Sequence, residues 1–137
     1  MDYMSVAERL ALKALKKGDV PVGAVIVKNN KIIGKGYNKK EKKNKAVFHA
    51  EILAITAANK KINNWRLDDC ELYCTMEPCM MCCGAILQSR IKKVVYLVKN
   101  EKYGCTHLLK NSKIEFIEIK NNTNMKQLLN DFFQLKR

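Results

Sequence analysis

Cys79 and Cys82 stand at i and i+3 in Pro78-Cys79-Met80-Met81-Cys82, so in the opening turn of a helix both sulfurs face one side and can bind one metal ion. His49 supplies a third donor of the kind zinc accepts beside thiolates. Three protein ligands leave a fourth position for water or hydroxide, and that open position separates a catalytic zinc from a closed structural one. One Zn2+ per subunit is the expected cofactor. Glu51, two residues past His49, is displaced around a helix too far to bind the same ion, yet it stays close enough to touch the water. Its expected role is catalytic, a carboxylate that carries protons between water and substrate. A Cys-x-x-Cys pair also occurs in redox motifs and structural zinc sites, so His49 and Glu51 carry the distinction. Cys83 points about 100° away from Cys82 around a helix, Cys70 and Cys74 fall in a strand where free cysteine packs as a small apolar residue, and Cys105 with His107 lies in a loop beside lysines. These are read as packing or solvated residues.

Positioning such a set requires two helix starts at one edge of a sheet. Met4, Ala7, Leu10, Ala11, Ala14 and Leu15 recur at helical spacing, which predicts a first helix over 2–17, stopped by Gly18. Val22 to Val27, Asn29-Asn30 and Lys31 to Tyr37 read as a β-hairpin. The polar stretch Asn38 to Lys45 reads as a loop, and a second helix runs from about His49 to Lys60, placing His49 at its N-terminus. Glu71 to Thr75 is a predicted strand, Glu77-Pro78 breaks it, Cys79 to Ser89 is helical, and Ile91 to Val98 is a strand again. A strand, a helix and a strand at this spacing make a crossover unit with parallel strands. Lys99 to Ser112 is a loop, Ile114 to Ile119 alternates as a strand, and Asn124 to Lys136 is a final amphipathic helix. The sum is a three-layer α/β domain with a mixed sheet. Both thiols sit where a helix dipole lowers a cysteine pKa, so both are expected to ionise.

A chain of 137 residues fits one compact domain, 1–137, without disulfide staples. Apolar residues make up 47% and charged residues 28%, and no apolar run approaches the roughly 18 residues that would suggest a membrane span. With no basic-then-apolar leader at Met1-Asp2-Tyr3-Met4-Ser5, a cytoplasmic location with reduced thiols is expected. Twenty-six basic residues against 13 acidic ones give +13, a field that attracts polyanions, and nucleic acid is the natural partner class. Nearly all of the excess is lysine, which a lysine-rich, AT-biased coding sequence produces equally well.

Further motifs narrow the chemistry. The run Asp19-Val20-Pro21-Val22-Gly23-Ala24-Val25 is joined by Gly36-Tyr37-Asn38, His49-Ala50-Glu51-Ile52, Trp65-Arg66-Leu67, Leu72-Tyr73, Glu77-Pro78-Cys79, Cys82, Gly84-Ala85-Ile86, Ser89-Arg90-Ile91 and Val94-Val95-Tyr96. Over nearly its whole length the sequence thereby resembles the bacterial tRNA-specific adenosine deaminases, and His-x-Glu with Pro-Cys-x-x-Cys is the known signature of zinc deaminases acting on flipped bases. The resemblance implies a cytidine deaminase-like α/β/α fold with a mixed five-stranded sheet, a homodimer, and an anticodon stem-loop as partner. It implies hydrolytic deamination of the wobble adenosine of an arginine tRNA to inosine, releasing ammonia. Asn38 matches the asparagine that contacts the base, and Asn100 and Lys102 match positions near the RNA backbone. The chain departs from the family at Phe48, Cys83 and Leu97, and Gly104 to Lys113 is shorter than usual. Two other readings stand beside this one. The first is a deaminase of a free nucleobase or nucleoside; the second is a non-catalytic zinc-stabilised binding module, which needs a fourth ligand the sequence does not offer.

Overall fold

The computed structural model describes residues 2–120 and 124–135. Helix α1 (Tyr3–Lys16) starts where the Asp2 carboxylate accepts the Ser5 amide and ends with Lys17 at its C-cap. The hairpin of β1 (Gly23–Lys28) and β2 (Lys31–Tyr37) turns on Asn29 and Asn30, both at positive φ (51° and 61°), the conformation a tight hairpin turn selects asparagine to adopt. The polar segment after β2, expected as a loop, holds one short helix, α2 (Lys40–Lys43), closed by Asn44 in the left-handed region. Then follow α3 (Ala50–Ile62), β3 (Cys70–Met76), α4 (Met80–Ser89), β4 (Lys93–Val98), a 3-10 turn at Thr106–Leu109, β5 (Glu115–Glu118) and α5 (Met125–Leu135). Strand β4 begins later than expected because Ile91, although buried in the core, precedes the ladder. Lys136, placed in the last helix by its sequence, lies outside the described residues.

The five strands form one mixed sheet in the order β2-β1-β3-β4-β5, with β2, β1 and β3 antiparallel neighbours and β3, β4 and β5 parallel. The crossover through α4 therefore joins parallel strands, as its spacing requires. A register shift between Ile26 and Val27, not visible in the residue pattern, bends the hairpin.

Interior strand β4, between β3 and β5, is buried on both faces, and its alternation separates the layers. Val94 and Tyr96 join Ala24, Ile26, Leu72 and Cys74 under Ala50, Ala54, Ile55 and Ala58 of α3 and Ile86 of α4. Val95 and Leu97 meet Met4, Ala7 and Ala11 of α1 on the opposite face. Helix α5 contributes Leu129 and Phe132 to the first cluster and Met125 to the second. Helix α3 lies close to the sheet because β2 carries Gly34 and Gly36. A Cβ at Gly36 would collide with the Ala50 carbonyl, and one at Gly34 with that of Ala54. This close contact fixes the start of α3 against the end of β2.

Candidate functional site

His49 is the N-cap of α3 and Cys79 the N-cap of α4, with Cys82 in the first turn of α4. Two helix starts thus meet at the edge where parallel β3 and β4 end, the usual place for a site in an α/β sheet. Each cap residue has extended backbone geometry, which turns its side chain away from the helix it opens and toward the other.

The His49 Nδ1 lies 3.7 Å from the Cys79 Sγ and 3.7 Å from the Cys82 Sγ. All three donor atoms fall within 4.8 Å of one another, and no other group of three His, Cys, Asp or Glu donors comes together in this way among the described residues. Ligands at zinc's bond lengths of about 2.0–2.3 Å in a tetrahedron stand roughly 3.5–3.8 Å apart. One imidazole and two sulfurs at these separations fit that ion. The residues weighed as rivals are elsewhere: Cys70 and Cys74 are fully buried in β3, Cys83 directs its thiol to the Pro78 carbonyl and Cys105 to that of Tyr103. All six cysteines are free thiols.

The two thiols are shifted in opposite directions. Cys79 is pulled down to about 3 by the hydrogen bond from the Cys82 thiol and by His49 beside it. Cys82 is pushed up, first by that same bond to Cys79 and then by its burial. The two thiols are each other's strongest neighbour, and the helix start favours the charge on the cap residue. His49 is raised in turn, chiefly by its contact with Cys79.

Glu51 occupies the first turn of α3 and is only 4% exposed. Burial pushes its carboxyl up to about 7, against the lowering effects of its own amide and of His49. A carboxyl in that range can take up and release a proton near neutral pH, which is what general acid–base work demands.

Asn38 is buried at the end of β2, where its Oδ1 accepts the Ala50 amide hydrogen at 2.7 Å. One half of the side chain therefore anchors the start of α3, next to His49. The other half, the Nδ2 group, donates to no partner among the described residues. Asn100 shapes its own loop: its amide donates to Glu77 Oε1, its carbonyl accepts from Gly104, and its Oδ1 accepts from Tyr103. Lys102 is exposed, with its ammonium 5.3 Å from the Tyr103 ring.

Glu77 is the residue the sequence reading missed. Read there as half of a strand-breaking Glu-Pro and as part of the Glu77-Pro78-Cys79 motif, with no role of its own, it is 3% exposed and accepts three hydrogen bonds, from the amides of Asn100 (3.1 Å) and Thr106 (3.3 Å) and the Thr106 hydroxyl (2.6 Å). Gly104 lies against the carboxylate, where an added Cβ would come within 2.5 Å of its carbon. Through Glu77 the segment after β4 folds back and pairs with the segment that opens α4, with Cys79 opposite Gly104 and the Cys105 amide bonded to the Pro78 carbonyl. An acidic side chain just before Pro-Cys-x-x-Cys was the available signal. What it bonds to only the fold reveals.

The model of the MafB19-like deaminase family matches residues 1–137. A tRNA-specific adenosine deaminase of Streptococcus pyogenes serotype M18 is 48% identical over 102 residues, covering 74% of this chain and 64% of that protein. One of Bacillus subtilis strain 168 is 45% identical over 109 residues, covering 80% and 68%. The chain thus spans somewhat less than two thirds of the streptococcal relative's length. Among solved structures, a tRNA:A34 deaminase from a study of A-to-I editing at the wobble position superposes with a TM-score of 0.80 at 29% identity, covering 85% of this chain and 96% of that one. The guanine deaminase of Bacillus subtilis superposes at 0.70 with 33% identity, covering 98% and 91%.

Proposed function

The chain belongs to the MafB19-like deaminase family and stands with the tRNA-specific adenosine deaminases, and we propose that it deaminates adenosine to inosine at the wobble position of an arginine tRNA, releasing ammonia. The observation that carries this reading is the convergence of His49, Cys79 and Cys82 within 4.8 Å, beside the buried carboxyl of Glu51. His49, Cys79 and Cys82 would hold one Zn2+ per subunit, which would supply Lewis-acid activation of the attacking water.

The remaining chemistry belongs to the chain's own groups. Glu51 accepts a proton from the attacking water, delivers it to the purine ring nitrogen beside the carbon under attack, and carries the second water proton to the departing amine. Water and adenosine then become inosine and ammonia with no net change in the protons held by Glu51. Asn38 orients the base: its Oδ1 is held by the Ala50 amide, so its NH2 group faces the purine edge in one fixed direction. Asn100 and Lys102, on the segment that Glu77 organises, lie toward the RNA backbone, where Lys102 serves as a phosphate contact. The same reading takes residues 1–137 as a single catalytic domain acting as a cytoplasmic homodimer. Among the described residues no helix is long and apolar enough to cross a membrane.

Likeness to a guanine deaminase at 33% identity keeps a free base as the competing substrate. Incubating the purified, zinc-loaded protein with adenosine-34 and cytidine-34 forms of an arginine anticodon stem-loop, and separately with free adenosine and guanine, decides between them. Inosine formed in the adenosine-34 RNA alone is the expected result. Equal or faster turnover of either free compound would transfer the assignment to a small-molecule deaminase.

A further inference from the structure

Of the five tyrosines, four are buried or half-buried, and Tyr103 alone is exposed, at 62%. Its backbone is nevertheless held from several directions. The Tyr103 amide donates to Asn100 Oδ1 at 3.0 Å, and its carbonyl accepts the Cys105 thiol at 3.5 Å. Gly104, the next residue, donates its amide to the Asn100 carbonyl at 2.9 Å and lies against the Glu77 carboxylate. Over the ring stands the Lys102 ammonium, 5.3 Å from the centroid.

This ring lies close to the candidate metal centre. Gly104 is opposite Cys79 in an antiparallel bridge, and the Cys105 amide donates to the Pro78 carbonyl at 3.3 Å. Opposed residues of such a bridge have Cα atoms about 4.5–5.5 Å apart, and successive Cα atoms are about 3.8 Å apart, so the Tyr103 Cα stands within about 9 Å of that of Cys79. Trp65, also exposed, precedes β3 and so lies at the sheet edge away from the site, with Arg66 and Arg90 against it. Glu101 is exposed beside Lys102, so the surface around Tyr103 is not a cationic patch, and any contact made here falls to the ring. A large ring on a backbone that is already fixed loses little further freedom when it is covered, which suits it to contact. A nucleobase matches it chemically, because every base has a π face and stacking needs no particular pattern of donors and acceptors. When one base of an RNA is turned into the site its neighbours lose a stacking partner, and an aromatic ring at the rim replaces what they lose.

We propose that Tyr103 is a stacking platform for the base of a nucleotide flanking the one that is deaminated. The inference rests on the reading of RNA as the substrate. Glu77 and Asn100 act through the backbone they hold, and Tyr103 is the residue on that segment that touches the RNA base. The contact favours a substrate with a base beside the target over a free base or nucleoside, which has no neighbour to stack.

The test uses the zinc-loaded full chain and anticodon stem-loops that lack the base on the 5′ or the 3′ side of nucleotide 34. In the parent, loss of one of these two bases weakens binding about fivefold or more, as expected for a base stacked on an aromatic ring. In Tyr103→Ala the intact stem-loop binds more weakly by a similar factor, and removing the same base has little further effect. Tyr103→Phe binds as the parent does, because stacking needs the ring and not the hydroxyl. Equal losses in parent and alanine variant at both positions, or a phenylalanine variant that follows alanine, would overturn the platform. Additive base effects together with a weakened dimer of Tyr103→Ala in analytical ultracentrifugation would also overturn it, and would assign the ring to contact between copies of the chain. Conversion of adenosine-34 by the parent is scored separately. Coupling without inosine removes the proposed reaction and leaves the platform standing, whereas inosine without coupling removes the platform alone.

Discussion

Removing the acceptors at Glu77 tests whether one buried carboxylate holds the segment that follows β4. Its oxygens take the amides of Asn100 and Thr106 and the hydroxyl of Thr106. A buried donor left without an acceptor costs about 1–3 kcal/mol, and a hydrogen bond to a charged group contributes about 1.5–3 kcal/mol. Glu77→Ala strands two amides and a hydroxyl and opens a cavity beside Gly104. The hydroxyl can rotate to another partner and Asn100 is only partly buried, so the low end of each range applies, and the sum is about 3–5 kcal/mol. Against a typical stability of about 5–15 kcal/mol that loss approaches unfolding, so milder variants are the informative ones. Glu77→Gln keeps one acceptor oxygen but turns an NH2 group toward a backbone N–H, for a loss of about 1–3 kcal/mol; Thr106→Val removes the 2.6 Å bond alone, for about 1.5–3 kcal/mol.

Urea denaturation of zinc-loaded protein at matched metal content measures the stabilities, and amide hydrogen exchange locates the change. Accelerated exchange at Asn100 and Thr106, with the amides of α1 unaltered, is the expected pattern. Binding of the stem-loop RNA weakens while zinc stoichiometry stays at one. If both mild variants lie within about 0.5 kcal/mol of the parent, the range of an ordinary surface substitution, Glu77 is not holding this segment. Unchanged exchange at the two amides would be equally decisive.

Glu51→Gln retains one zinc per chain by elemental analysis and loses inosine formation by a factor of at least about 100, the lower range for a positioned acid–base group; turnover near the parental rate would remove its proton-carrying role. Asn38→Asp preserves the acceptor for the Ala50 amide and melts close to the parent, whereas Asn38→Ala is less stable by about 1–2 kcal/mol. Both lose affinity for an adenine-bearing stem-loop, and a full-affinity aspartate variant would show that the Asn38 NH2 group does not read the base. Chelation of zinc lowers the melting temperature, and the apparent zinc affinity rises with pH because binding displaces protons from the ligands; calorimetry in buffers of different ionisation enthalpy counts them. Gly36→Ala displaces α3 from the sheet at the Ala50 carbonyl and reduces zinc affinity together with stability, so a variant with parental zinc binding would dissociate the packing of α3 from the metal site.

The long helices and the five strands were legible because each carries its own local signal, whereas the short helix α2 and the 3-10 turn at Thr106–Leu109 lie in stretches that read as loops. Apolar spacing marks α1, Asn29-Asn30 marks the hairpin turn, and Glu77-Pro78 marks the break before α4. The three residues that could hold a metal ion were legible for the same reason, since Cys79 and Cys82 are neighbours in one turn and His49 opens the other helix. Features that depend on distant segments were not. Nothing near Asn38 in the sequence says that its oxygen meets an amide twelve residues away. The stretch after Val98 reads as a featureless loop because Glu77, which lies outside it, joins the bonds its own residues make. The lysines around Tyr37 are unremarkable one at a time in so basic a chain, and only the packing of α1 against the hairpin gathers them.

The two buried carboxylates explain why that division has a chemical consequence. Glu51 and Glu77 are about equally hidden, 4% and 3% exposed, and both stand beside the thiol pair. Glu77 faces three donors that fix both of its oxygens, so it is suited to holding structure and poorly suited to passing a proton. Glu51 is met among the described residues by its own amide and lies against the Cys82 thiol, and burial raises its carboxyl to about 7. Residue type alone does not separate these roles, because a glutamate near a Cys-x-x-Cys pair is a candidate for either. The number of donors that the fold aims at each carboxylate does separate them. Glu77 follows the strand whose end the segment from Asn100 to Thr106 crosses, whereas Glu51 lies in the first turn of a helix that opens onto the metal donors. Transplanting a donor to Glu51 would therefore suppress catalysis without disturbing the metal.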